Sequence, residues 1–160
     1  MSEQNNFELR IANESDVKSI FELSNEDDVR ENSINSEQIQ WNNHVKWFNN
    51  KLNDEDYLIL IAEDENNQFV GQVRYELKNN QADISISIAP DFRGLDLAAP
   101  MISDSAKFLF NNNENIEFIL AYIKEINIPS IKAFEQAGYI YFQQEIINEE
   151  IFLVYRYLRN

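Results

Sequence analysis

Polar and apolar residues alternate in Phe7-Glu-Leu-Arg-Ile11, the period-two pattern of a half-buried strand. Asn13-Glu-Ser-Asp16 then offers capping residues for a helix that carries Val17, Ile20, Phe21 and Ser24 on one face. A polar stretch, 25–35, leads to a second helix over 36–51, where Trp41, Val45 and Phe48 repeat at i, i+4, i+7 and His44 and Trp47 fall on the other face. The almost continuously apolar run 57–63, the turn 64–68 and the run 69–77 predict a hairpin, and Lys78-Asn-Asn-Gln81 turns into an alternating strand over 82–89 that Pro90 ends.

From Leu97 onward the apolar positions Ala98, Met101, Ile102, Ala106 and Leu109 adopt the helical period, which frays in the asparagine-rich stretch 111–115. A strand over 116–123 follows. Asn127-Ile-Pro-Ser130 opens a helix with proline near its first turn, Gly138 marks its end, and the runs 139–146 and 151–158 close the chain as a hairpin around Asn148-Glu-Glu150. The order β-α-α-β-β-β-α-β-α-β-β is that of an α+β fold: a mixed, twisted sheet of about seven strands with about four helices, in one domain spanning 1–160.

Composition narrows the chemistry. With no cysteine and one histidine among 160 residues, disulfides, thiolate metal sites and a cysteine nucleophile drop out, and a histidine metal site is disfavoured. A net charge of −15 argues against nucleic acid and anionic membranes as partners. The opening Met-Ser-Glu-Gln-Asn-Asn lacks the basic and apolar regions of a signal peptide, and no apolar run reaches the ~20 residues of a membrane span, so a soluble cytoplasmic protein is expected.

The stretch 83–98 has the form of an anion-binding device. A strand feeds a loop containing Arg93 and Gly94 into a helix start, which presents backbone N–H groups and the positive end of the helix dipole to a phosphate. Asp96 sits inside it with the opposite charge. Its carboxylate has three options: to face the phosphate, to point into solvent and gain from the dipole, or to fold back onto the amide nest.

Leu9-Arg-Ile-Ala12, Arg93-Gly-Leu-Asp-Leu-Ala98 and Asn127-Ile-Pro-Ser-Ile-Lys-Ala-Phe-Glu-Gln-Ala-Gly-Tyr139, in this element order, resemble the GNAT superfamily of N-acetyltransferases over nearly the whole chain. Asp28-Val-Arg-Glu-Asn-Ser33, His44-Val-Lys-Trp-Phe48, Gly71-Gln-Val-Arg74, Ile84-Ser-Ile-Ser-Ile-Ala-Pro90 and Ala121-Tyr-Ile-Lys124 look like the amino-sugar N-acetyltransferases of the pseudaminic-acid branch, which act on nucleotide-linked sugars. The resemblance implies acetyl-CoA as cofactor, direct attack of a primary amine on the thioester, a small-molecule amine acceptor and, since relatives often dimerise, a homodimer.

By the same resemblance the main chain of Ile86, Ser87 and Ile88 holds the pantetheine arm, with the Ile88 N–H as oxyanion donor. Such a donor is worth about 3–4 kcal/mol. Arg93, Gly94, Leu95, Asp96, Leu97 and Ala98 form the pyrophosphate loop. Asn127 and Ser130 cap a helix by residue type, and the resemblance adds a pantetheine contact for Asn127. Phe134 occupies the position where many relatives carry the proton-donating tyrosine. Tyr122, Tyr139 and Tyr141 are the alternative acids, and Asp83, Glu76 and His44 the candidate bases. Arg30, Asn32, His44, Trp47, Gln72 and Arg74 are expected to line the acceptor pocket, the arginines meeting phosphate and Trp47 offering a stacking face. Asp96 and Phe134 motivate the alternative of a non-catalytic binding module with weakened CoA binding.

Overall fold

In a computed structural model that describes residues 6–160, the front strand is β1 (Glu8–Ile11), followed by α1 (Val17–Ser24), α2 (Asp27–Asn32) and α3 (Trp41–Leu52). The meander is β2 (Tyr57–Glu63), β3 (Phe69–Lys78) and β4 (Gln81–Ile88); α4 (Ala98–Asn112), β5 (Phe118–Lys124), α5 (Ile128–Gln136), β6 (Ile140–Ile147) and β7 (Glu150–Leu158) complete the chain. The polar opening read above for a leader lies, in its residues 1–5, outside the described residues.

Among the described residues seven strands join one sheet in the order β1-β2-β3-β4-β5-β7-β6, with β4 and β5 parallel and the other neighbours antiparallel. Alternation sends Val73, Tyr75 and Ile84 to one face, where they pack with Met101, Ile102 and Leu109 of α4 and Phe134 of α5. Ile59 and Ile61 point to the opposite face and pack with Ile20 of α1 and Phe48 of α3. Burying a side chain of this size stabilises the fold by roughly 1.5–3 kcal/mol.

Among the described residues there are five α-helices, against about four expected. The extra one, α2, has a single apolar residue, Val29, and buries none of its side chains, so no hydrophobic period announced it. Side chains hold it instead: Arg30 donates to the carbonyls of Ser24 (2.7 Å), Asn35 (2.9 Å) and Glu37 (3.2 Å), and the Lys124 ammonium reaches the Glu31 carbonyl. Helix α3 starts at Trp41 rather than Ser36, because the Asn25 side chain binds both the N–H (2.8 Å) and the carbonyl (2.9 Å) of Ile39 and keeps that backbone out of the helix.

The buried face of α3 is also rotated from the expected stripe. His44 and Phe48 are buried, while Trp41 is 44% exposed. The His44 Nε2 lies 2.8 Å from the Val17 carbonyl, an acceptor, so Nε2 carries the hydrogen; Phe21, Trp41, Trp47 and Phe48 surround the ring.

Candidate functional site

Strands β4 and β5 pair only between 81–84 and 118–121. Beyond that they diverge, β4 staying with β3 and β5 with β7. The gap opens a cavity of about 1100 Å³ lined from both faces of the sheet: Ile86, Ile88, Ala121 and Ile123 on the α4 and α5 side, and Arg74, Ser85 and Tyr122 on the other. This volume exceeds that of a typical small-ligand pocket and suits two substrates meeting in a slot.

Register decides which main-chain groups face the slot. Gly71 and Ile88 stand opposite each other, and the Ala89 N–H reaches the Val70 carbonyl at 2.8 Å, so Gly71 and Ile88 form a non-hydrogen-bonded pair. The N–H and carbonyl groups of Ile88, and by alternation those of Ile86, therefore turn from β3 toward the gap. Ser87 differs from expectation: its main chain belongs to β3, and its hydroxyl accepts from Gln72 Nε2 (3.3 Å).

At the mouth, Gly94 (φ +75°) and Asp96 (φ +57°) both take left-handed backbone, and α4 begins without any side-chain cap. Left-handed residues ahead of an uncapped helix leave amide hydrogens free for an anion. Asp96 does not fold back onto that nest. It is exposed on the cavity wall and, among the described residues, makes no hydrogen bond. Arg93 donates through Nε to the Ile88 carbonyl (3.0 Å) and pairs through Nη1 with Asp28 of α2 (2.8 Å). Leu97, Ala98, Asn127, Ser130 and Phe134 also line the cavity, whereas Leu95 is exposed away from it. Asn127 caps α5 through Oδ1, which accepts from the Ser130 N–H at 3.4 Å.

Among the tyrosines, Tyr122 reaches the cavity and Tyr139 does not. The Tyr139 N–H bonds the Phe134 carbonyl (3.0 Å), the Gly138 N–H bonds the Glu135 carbonyl (3.0 Å), and Gly138 has φ +94°, which makes the end of α5 a Schellman motif. That turn drives the Tyr139 ring against Phe134 and Tyr157, 3% exposed, and burial pushes its pKa well above the ordinary value. The Tyr122 pKa is also raised, chiefly by burial and further by the Asp83 and Glu145 carboxylates. Asp83, expected as a base, lies off the cavity, held by Gln81 Nε2 (2.7 Å) and Lys78 Nζ (3.3 Å).

Of the expected acceptor residues, Arg30, Asn32 and Arg74 line the cavity, and His44, Trp47 and Gln72 do not. His44 is buried at 2% exposure, and burial first, with Arg74 nearby, pulls its pKa down against the opposing bond to Val17. Gln72 is buried behind Ser87. Trp47 serves through Arg74, whose guanidinium sits 5.1 Å from its ring centroid. Burial and the charge of Arg74 lower the pKa of Arg30. Among the described residues neither arginine pairs with a carboxylate, and the buried Arg74 Nε has no partner. Glu31 on the same wall is exposed. The sequence pattern gives no role to Asp28, Ser85 or Lys124, although all three fall within the stretches that carry the resemblance; what they do depends on partners distant in the chain.

A family model described as an acetyltransferase (GNAT) domain matches residues 6–140. Spermidine N-acetyltransferase from Vibrio cholerae in complex with CoA and spermine superposes with a TM-score of 0.83 at 19% identity, covering 94% of this chain and 93% of that one. An aminoglycoside acetyltransferase, AAC(6')-Ib, in complex with coenzyme A gives 0.80 at 15% identity, covering 96% and 95%. An uncharacterized protein of Methanocaldococcus jannaschii is 32% identical over 110 residues, 66% of this chain, and the chain spans 22% of that relative's length.

Proposed function

The chain belongs to the GNAT acetyltransferase family, and from that premise we propose that this acetyl-CoA-dependent N-acetyltransferase acts on the primary amine of an anionic acceptor, a nucleotide-linked amino sugar. Arg30 and Arg74 carry the reading, two guanidiniums lining the slot with no carboxylate paired to either among the described residues. Spermidine and aminoglycosides, the acceptors named for the solved relatives, are polycations at neutral pH. A unit charge about 4 Å from a guanidinium near a protein surface is worth ~4 kcal/mol, attractive for phosphate and repulsive for ammonium.

The residues present fit acetyl-CoA: the Ile86 and Ile88 main chain faces the gap, Asn127 stands at its edge, and the left-handed loop leaves the α4 amides open. Bound there, the thioester supplies the acyl group and a sulfur leaving group. The Ile88 N–H is the oxyanion donor. Tyr122 Oη would give its proton to the departing sulfur and be restored by the proton the amine sheds as the amide forms, and its raised pKa keeps it protonated at neutral pH. Asp83 and Glu145 act on Tyr122 electrostatically, not on the acceptor. Asn32 shares the wall with the two arginines and orients the sugar.

An acceptor panel with acetyl-CoA tests this, with CoA release followed by thiol titration. A UDP-linked amino sugar should be acetylated with kcat/KM at least tenfold above spermidine, an aminoglycoside or the free amino sugar. Spermidine or the free sugar turning over as well as the nucleotide-linked one would refute the anionic acceptor.

A further inference from the structure

We infer that Asp28 is an internal stand-in for the cofactor's phosphate: it occupies Arg93 across the mouth of the slot, and cofactor binding displaces it and loosens the wall of the acceptor end. This rests on acetyl-CoA occupying the slot as described above. Arg93 belongs to the loop that leads into α4, and Asp28 to α2 on the other wall; their 2.8 Å ion pair bridges the two. The Arg93 guanidinium is also fixed by its Nε bond to the Ile88 carbonyl, so it stays at the mouth whichever anion it meets. The Asp28 carboxylate is oriented by the Val29 N–H (3.0 Å), with the Asn32 amide on the Asp28 carbonyl (2.8 Å). A diphosphate at the open α4 amides and the Asp28 carboxylate compete for one guanidinium, and the diphosphate brings more charge.

What Asp28 holds makes the exchange consequential. Helix α2 buries no side chain, and the segment carrying Arg30, Asn32 and Ile34 is kept in place by polar anchors: the Arg30 bonds, the Lys124 bond, the Asn148 amide on the Ile34 carbonyl (3.4 Å) and the Asp28 to Arg93 pair. A segment held by a few polar anchors opens more readily than one held by a core, so losing one anchor raises its local opening. Cofactor and acceptor sites are therefore coupled, and by linkage the coupling runs both ways.

Calorimetric titration with CoA, paired with hydrogen exchange, tests this on the wild type, Asp28→Asn and Asp27→Asn. Both aspartates are in the first turn of α2, and only Asp28 is paired with Arg93. Because the pair is half-exposed, Asp28→Asn should lower the Kd for CoA by about two- to fivefold, and Asp27→Asn should change it by less than half as much. CoA should speed exchange over 27–35 in the wild type, and Asp28→Asn should show that faster exchange without CoA. Unchanged or weaker binding by Asp28→Asn, equal tightening by Asp27→Asn, or unaltered or slower exchange over 27–35 with CoA would overturn the stand-in. A wild type that failed to bind CoA at all would overturn the cofactor placement and the stand-in together.

Discussion

Gly71 on β3 approaches Ser87 on β4 so closely that a Cβ on the glycine would lie 2.4 Å from the Ser87 carbonyl oxygen and 3.1 Å from the Ile88 Cα. Both obstacles are backbone, so β4 itself must shift, and β4 forms the wall whose Ile88 N–H faces the slot. Gly71→Ala should destabilise the fold by about 1–3 kcal/mol, as overpacking does, and weaken CoA binding at temperatures where the variant remains folded. Chemical denaturation with parallel titration checks both effects, and wild-type CoA affinity would show that β4 absorbs the methyl without moving Ile88.

Asp96 stands in left-handed backbone, which glycine adopts without the steric cost that a side chain brings. Asp96→Gly removes local strain but loosens the unfolded chain, so stability should change by less than about 1 kcal/mol. The exposed carboxylate on the mouth wall costs an incoming diphosphate about 1 kcal/mol or more, so the Kd for CoA should fall about five- to tenfold. Calorimetry reads both, and an unchanged Kd would place the carboxylate outside the field of the phosphates.

Tyr122→Phe removes the proposed acid while keeping the ring. The expected loss in kcat is about 10²-fold or more, with CoA affinity unchanged. Since Tyr122 works protonated and its pKa is raised, wild-type activity should decline only as pH rises through that raised value, and the variant should lose this alkaline limb. A pH profile that keeps the limb in Tyr122→Phe would assign the proton to another group.

Arg10 grips Asp16 with two 2.7 Å bonds and also pairs with Glu63. Burial alone would raise the Asp16 pKa; the Arg10 hydrogen bond, the Asn13 N–H and the Arg10 charge outweigh it and the net shift is downward. A lowered folded pKa contributes stability that is complete above the unfolded value near 3.8 and is lost as pH falls from there through the folded value. Urea melts between pH 6 and pH 2 should show this loss, and Asp16→Asn should be less stable at pH 6 with a shallower decline below pH 4.

The hairpin joining β6 and β7 turns through Asn148 (φ +50°) and Glu149 (φ +66°), with Ile147 opposite Glu150, a two-residue turn that needs left-handed backbone at both positions. Asparagine suits this and glutamate does not. Glu149→Gly should raise stability by about 0.5–1 kcal/mol, visible as a melting temperature higher by roughly 1–4 °C.

Strands with strict alternation and helices bounded by Asn127 or Gly138 were legible in the sequence because their signals are local. The seven strands and the Schellman end of α5 follow from period and punctuation. Helix α2 was not legible, since its anchors, Arg30 and Lys124, act on carbonyls from several parts of the chain. The face of α3 misled for a related reason: His44 counts as polar in a pattern, yet one hydrogen bond to Val17 lets it replace an apolar residue in the core. In the site, motif positions on the loop and strand ends fell on the slot except Leu95, whereas roles resting on side-chain direction did not all follow. Tyr139 and Asp83 have the right chemistry and point elsewhere.

The protein carries a net charge of −15, yet it places Arg30, Arg74 and Arg93 around a single slot. An anionic ligand is thus opposed during its approach and attracted once inside. The two fields differ in range, and mobile ions screen the distant one first, over about 8–10 Å at physiological ionic strength. Moderate salt should therefore speed arrival rather than slow it, the reverse of electrostatic steering toward a basic protein. The rate of departure, set by close contacts within the slot, should change far less, so the slot takes up anionic ligands faster in physiological salt than in dilute buffer.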